Sequence, residues 1–345
     1  MLLTFENWKL FLRSIEYSGA FFAIFFNAIL MVLIVCCSPK HFGMYKYLMA
    51  YISVFEVIFA ILDCIIEPNL FTHGPVFIVF RQFSDSYFGR NAGFYLIAVC
   101  CGNFGLLIAL FGVHFIYRYG AIDIQFRVKY LMGKKLIALF LMPVVFSIWW
   151  TLIIVFLYRP DDESDKIMRE PLLIGFETQI ENVSYIFVQF YSRGKDNQLH
   201  PNWVIFGGMG CMWFMISLSL FCVFYFGIRC YSKILKNLKH SKWSAYCVKT
   251  VQQELFNALA MQTLIPLVLM YIPVGTLFLF PMLNIEVGFI SSSVMATIAI
   301  YPAVDPLPTM FIVKNYRYAL LNFCRKPPIV ERSVELQNQP AAPIS

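Results

Sequence analysis

The residues in this chain with the most chemistry to offer are acids in apolar surroundings. Asp305 lies in IAIYPAVDPLPTMFIVKNYR, Ile298 to Arg317, between Pro302 and the pair Pro306 and Pro308. Glu56 lies in YLMAYISVFEVIFAILDCII and Asn27 in AFFAIFFNAILMVLIVCC. An ionised carboxylate at the centre of a lipid-spanning helix costs roughly 2.5–3.5 kcal/mol, and each proline removes a backbone donor. Asp305 is eight residues from Val313, Glu56 eight from Leu48 and Asn27 ten from Cys37. At about 1.5 Å per residue the three therefore reach one layer some 12–15 Å from that end of their runs. Two carboxyls in one dry layer do not comfortably both ionise. The expectation is a shared proton or a small cation such as sodium, with Asn27 as a neutral partner and proline-freed carbonyls nearby. The alternative is that each acid is simply protonated and bonded to a nearby carbonyl.

A second group concerns switching. The run from Asn91 to Tyr117 has no Asp, Glu, Lys or Arg and then ends HFIYRYG. Arg118, flanked by Tyr117 and Tyr119, reads either as a snorkelling arginine between interfacial tyrosines or as a switch that meets a partner. Pro266 and Pro273, seven apart, share a helical face and bend their helix the same way, as a static kink or as a hinge. Beyond the last run, NYRYALLNFCRK sets Tyr316, Leu320 and Phe323 at helical spacing, which suits a short helix on a membrane surface, with Cys324 a candidate for acylation.

Enzyme signatures are missing. There is no HExxH, GxxxxGK[ST] or GxSxG, and of five histidines His114 alone falls within an apolar run. The expectation is no catalytic residue, no metal site and no cofactor; with no lysine before Lys314, the last run offers no retinal Schiff base.

The elements that position these residues are membrane spans. The 345 residues are 59% hydrophobic and only 14% charged, against about 25% charged in an ordinary soluble domain. Runs of about 20 uncharged residues recur near 17–37, 48–66, 91–117, 136–158, 203–228, 258–280 and 288–313, predicting an all-α bundle of seven transmembrane helices. The expected organisation is a short outer segment 1–16, a seven-span bundle 17–313 and a tail 314–345. The connections 38–47, 118–135 and 229–257 and the tail hold 18 of the 27 Lys and Arg, so they are expected in the cytosol and the amino terminus outside. This distribution also explains the net charge of +7 without nucleic acid. The sequon Asn182-Val183-Ser184 falls in the long connection 159–202, expected outside, and Asn182 is a candidate for glycosylation. None of the ten cysteines lies in that connection, so no external disulfide framework is expected.

Several strings in order carry a resemblance: CSPKHFGMYKYLMAYISVFEVIFAILDCIIEPNLFTHGPVFIVF, HFIYRYGAID, IPLVLMYIPVGTLFLFPMLNIEVGFIS and IAIYPAVDPLPTMFIVKNYR. Over roughly residues 10–320 the chain resembles the nematode seven-transmembrane chemoreceptors of the Str type, serpentine receptor class R. The resemblance implies an olfactory-type G-protein-coupled receptor in the plasma membrane of sensory neurons and in their cilia. Its implied partners are a small odorant, a heterotrimeric G protein and the bilayer. It places Tyr117-Arg118-Tyr119 where rhodopsin-like receptors carry acid-Arg-Tyr, and Asp305-Pro306 where they favour Asn-Pro. Tyr316 lies farther along than their usual tyrosine, and the cysteines that tie their third span to the second outer loop are missing. On this reading a chemical bound among Tyr95, Asn103, Met270, Tyr271, Ser292 and Thr297 shifts the third, sixth and seventh helices, with Pro266, Pro273 and Pro306 as bending points. The rival reading is a seven-span channel or transporter that uses the buried acids as an ion path. No internal repeat of two halves supports it.

Overall fold

A computed structural model of the chain describes residues 5–38, 45–82, 89–194, 198–239 and 244–322. Among the described residues seven helices are long and apolar enough to cross a membrane. They are α1 (Phe5–Cys37), α2 (Tyr45–Ile66), α3 (Arg90–Ile122), α5 (Lys134–Leu157), α7 (Trp203–Lys239), the sixth span formed by α8 (Ser244–Pro266) and α9 (Ile272–Met282), and the seventh formed by α10 (Ser293–Val304) and α11 (Pro306–Ile312). Short α4 (Ile124–Tyr130) follows α3, and α12 (Lys314–Leu321) follows the seventh span. α3 is buried along most of its length, packed against α5, α7 and α2.

The two composite spans break where their prolines dictate. Between Pro266 and Pro273 the backbone widens into a π turn over Leu267–Tyr271, because Pro273 offers no amide to the turn before it. In the seventh span Pro306 has no N–H for the carbonyl of Pro302. Asn27 Nδ2 of α1 takes that place, donating to Pro302 O at 3.0 Å.

One end of the bundle carries a feature that the apolar runs did not announce. The connections 67–90 and 159–202 form a three-stranded antiparallel sheet of β1 (Asn69–His73), β2 (Val76–Gln82) and β3 (Val183–Gln189), with α6 (Asp162–Phe176) on its far face. The hairpin between β1 and β2 turns through Gly74-Pro75, with Gly74 at φ +54°, the first-position glycine that a two-residue turn matched to strand twist requires. Along β2 the side chains alternate between two cores. Val76, Ile78 and Phe80 pack with Met168, Leu172 and Phe176 of α6, while Phe77 and Val79 join the core of the helix bundle. Buried on both faces, the strand reads as an unbroken apolar run rather than as an alternating one. A small hairpin, β4 (Tyr191–Arg193) with β5 (Leu199–Pro201), leads into α7.

The sheet is tied to the helices by hydrogen bonds. Ser184 Oγ donates to Arg90 O at 2.9 Å, Phe187 N to Tyr158 O at 2.9 Å and Ser291 Oγ to Leu70 O at 3.2 Å. A Cβ on Gly93 would meet Ser184 Oγ at 2.2 Å, so β3 lies against α3 only because that position is glycine. Arg90 forms a two-pronged ion pair with Asp165 of α6, and Tyr185 Oη donates to the same carboxylate at 2.5 Å. Burial alone would raise the Asp165 carboxyl; the hydrogen bonds from Arg90 and Tyr185 outweigh it and hold the group below its ordinary value. Cys36, Cys37, Cys64, Cys100, Cys101, Cys211, Cys222 and Cys230 are free thiols.

Candidate functional site

Two chambers lie one below the other along the bundle. The first, under the sheet, is a cavity of about 80 Å³. Phe77 and Val79 of β2 with Ile186 and Val188 of β3 form its roof, and Phe104, Trp150, Met209, Met212, Phe278 and Ile298 are among its walls. Cys100 and Cys101 of α3 and Asp63 of α2 also lie in its wall, whose surface is almost wholly apolar.

The six side chains expected to line a ligand cavity lie elsewhere. Tyr95 is 46% exposed on the outside of the bundle. Asn103 and Met270 are buried away from the cavity walls. Tyr271 belongs to a separate space between α3, α7 and α8, where its hydroxyl donates to Ile108 O at 3.4 Å. Ser292 is buried near the foot of the sheet and Thr297 bonds its own helix at Val294 O. Depth along a span was legible in the sequence, but the side of the helix was not; α3 turns Cys100, Cys101 and Phe104 toward the cavity instead of Tyr95 and Asn103.

The second chamber is polar and small. Glu56, His114, Gln262, Asp305, Ser53 and Thr309 enclose about 10 Å³, room for roughly one water-sized particle. Tyr301 Oη donates to Glu56 Oε1 at 2.9 Å and Gln262 Nε2 to Asp305 Oδ2 at 3.0 Å. The Glu56 and Asp305 carboxyls are within hydrogen-bonding reach of each other. Asp305 Oδ1 and Asn27 Oδ1 are buried and meet no donor among the described residues. Glu56, Asp305 and Asn27 thus converge on one layer, and the structure adds Tyr301, Gln262 and His114 to it. Tyr301 lies four residues before Asp305, on the same helical face, and Gln262 four before Pro266; those spacings were the available signal.

The layer continues toward the α12 end of the bundle. Tyr45 Oη and His114 Nε2 are 3.0 Å apart, and the Arg118 guanidinium sits over the Tyr45 ring at 5.2 Å from its centroid. Arg118 is 1% exposed, so it does not reach for water as a snorkelling arginine would. The triplet splits three ways around it. Tyr117 lies beside Tyr45 and Phe140, whereas Tyr119 packs on Phe126 and Phe226 and its hydroxyl donates to Asp123 at 3.0 Å.

Asp123 itself escaped the sequence reading, although it closes the string HFIYRYGAID. It caps α4 through Phe126 N at 3.0 Å and is ion-paired with Lys233 of α7. The hydrogen bonds from Lys233 and from the Phe126 amide pull its carboxyl down to about 2. α3 and α7 are therefore cross-bridged beside the arginine. Tyr316 Oη meets Ser38 Oγ at 2.7 Å, fixing α12 to the end of α1. Asn182 is exposed at the start of β3, and Cys324 lies outside the described residues. Among the described residues no group of His, Cys, Asp and Glu has the makings of a metal site.

Known proteins share both the sequence and the architecture. Residues 12–321 match the family model for the serpentine type 7TM GPCR chemoreceptor Str. The chain is 35% identical over 314 residues to the G-protein coupled receptor str-217 of Caenorhabditis elegans, covering 91% of this chain and 90% of that one. It is 29% identical over 342 residues to serpentine receptor class r-10 of the same organism, covering 95% of each. Squid rhodopsin superposes with a TM-score of 0.52 at 12% identity, over 96% of this chain and 88% of that one, which shows a common helical fold. A buried arginine at the end of the third span, a proline-broken sixth and seventh span and a cavity under a sheet are thus features of a multi-pass membrane protein of this family. The chain belongs to the Str family of serpentine seven-transmembrane chemoreceptors and is a G-protein-coupled chemosensory receptor.

Proposed function

We propose that the chamber under the sheet is the chemical-sensing site and that the polar layer relays its occupancy to Arg118. The observation that carries this reading is that the same two helices build both chambers within one turn. On α2, Phe59 lines the upper cavity and Glu56, three residues earlier, the lower one. On α10, Ile298 lines the upper cavity and Tyr301, three residues later, holds Glu56. A molecule that moves Phe59 or Ile298 acts on the Tyr301–Glu56 bond. From there His114 and Tyr45 lead to Arg118. The ligand achieves a shift only by binding the active arrangement better than the resting one.

In this reading the sheet faces the outside, Asn182 is available for glycosylation, and the α12 end with its basic connections faces the cytosol. Glu56 and Asp305 share a proton or a small cation, for which Asp305 Oδ1 and Asn27 Oδ1 are the waiting acceptors. The π turn at Leu267–Tyr271 and the break at Asp305-Pro306 are the bending points. The receptor works in the plasma membrane of a sensory neuron, at its cilium, and detects an odorant. Glu56 of α2 and Asp305 of the seventh span come from different helices and meet in one layer, an arrangement that suits a switch.

Cells expressing the chain with a calcium or cyclic-nucleotide reporter test the proposal. A volatile or water-soluble chemical should evoke a signal that disappears when heterotrimeric G proteins are blocked. A ligand-evoked current that persists under that block would contradict it.

A further inference from the structure

Asp63 is the carboxyl in the wall of the upper cavity, and nothing in the helix bundle accounts for it. It is 5% exposed, and its Oδ1 is buried without a partner among the described residues. The basic side chain at the rim of α1, Arg13, is engaged with Glu67, as is the Tyr17 hydroxyl. Glu16, half-buried on α1, adds a further acid to this end of the bundle. The rest of the wall is aromatic, aliphatic or sulfur, and Tyr158 Oη is turned to Ile205 O at 3.5 Å. Asp63 Oδ1 thus lies buried at the edge of an almost wholly apolar chamber, and a buried carboxyl oxygen is unfavourable unless a partner with a donor completes it.

We infer that the cavity binds a small amine with an alkyl or aryl body, its ammonium paired with Asp63 and its hydrocarbon against Phe59, Phe104 and Trp150. An alcohol would supply one hydrogen bond and leave the charge in place. An ammonium supplies the bond, neutralises the acid and is attracted to the faces of the neighbouring rings. The volume of about 80 Å³ accommodates roughly five to eight water-sized groups, which fits a compact amine and excludes a peptide. The inference rests on reading this chamber as the ligand site.

The test uses the purified full chain in detergent and reads its Tm with cyclohexylamine, isoamylamine and benzylamine against cyclohexanol, isoamyl alcohol and benzyl alcohol. The amines should raise Tm at concentrations at least tenfold below the matching alcohols. Asp63→Asn should require about thirtyfold more amine, the loss that goes with removing one partner of a buried charge pair, and leave the alcohols unchanged. Val274→Phe, which fills the cavity and keeps the acid, should abolish both responses. If Asp63→Asn does not fold, the amine–alcohol comparison on the unaltered chain decides. Equal effects of the two classes, or a Tm unmoved by any amine, would overturn the assignment of Asp63. Neither result touches the chemoreceptor reading, which stands or falls on the reporter screen.

Discussion

The two buried chambers are one turn apart on α2 and α10 and have opposite chemistry. The upper is walled by aromatic, aliphatic and sulfur side chains and roofed by a sheet that needs no disulfide. The lower is a knot of Glu56, Asp305, Tyr301, Gln262 and His114, where nearly every group is committed to another. An apolar chamber accepts many shapes at small individual gain, whereas a polar one has few arrangements, each requiring its partners. The contrast assigns adaptability to the upper chamber and discreteness to the lower.

Breaking the lower chain should have the largest effects. Arg118→Ala is expected to abolish G-protein signalling while ligand affinity stays within about tenfold, or roughly 1.4 kcal/mol. Reporter output against surface labelling measures it, and normal signalling at normal surface level would return Arg118 to a packing role. Next, Glu56→Gln and Asp305→Asn should each alter basal signalling and its dependence on sodium or pH. The double variant should depart from additivity by about 0.5–3 kcal/mol. Additive losses with unaltered ion dependence would mean two separately satisfied acids.

The roof should respond more mildly and leave basal signalling alone. Asp165→Asn removes the carboxylate that Arg90 and Tyr185 share, and amide exchange in β3 should quicken severalfold. Because the folded Asp165 carboxyl is held below its unfolded value of about 3.9, its contribution is complete above that pH and is lost as pH falls below it. Acid should therefore loosen the roof of the unaltered protein and not that of the variant. The smallest expected change is at the Asp123–Lys233 bridge. With Asp123 pulled down to about 2, that bridge persists across neutral pH. Asp123→Asn should raise basal signalling slightly, and equally at pH 6 and pH 8; a rise confined to one of them would point to a different titrating group.

The sequence made the helices and the depth of Glu56, Asp305 and Asn27 legible, since both follow from hydropathy and a fixed rise per residue. It did not show which way a span faces when every side is apolar. Tyr95 and Asn103 lie one helical turn either side of Val99, yet Tyr95 is exposed and Asn103 is buried away from the cavity that Cys100 and Phe104 line. The sheet was hidden for a related reason. VFIVF is buried on both faces and loses the alternation that marks a surface strand, although Gly74-Pro75 between two apolar runs was a hairpin signal. Asp123 was passed over because its partner, Lys233, is more than a hundred residues away.

The claim that the upper chamber acts on the lower one can be tested without knowing the ligand. Ile298→Phe narrows the cavity from the α10 wall, and Tyr301→Phe removes the hydroxyl that holds Glu56. Basal signalling of the two single variants and the double variant, each normalised to surface level, forms a cycle. The account predicts that Ile298→Phe changes basal output and that the change is lost in the Tyr301→Phe background, a coupling of at least about 1 kcal/mol, or roughly fivefold. Effects that simply add, with Ile298→Phe acting equally in both backgrounds, would show that the two chambers are neighbours without being coupled.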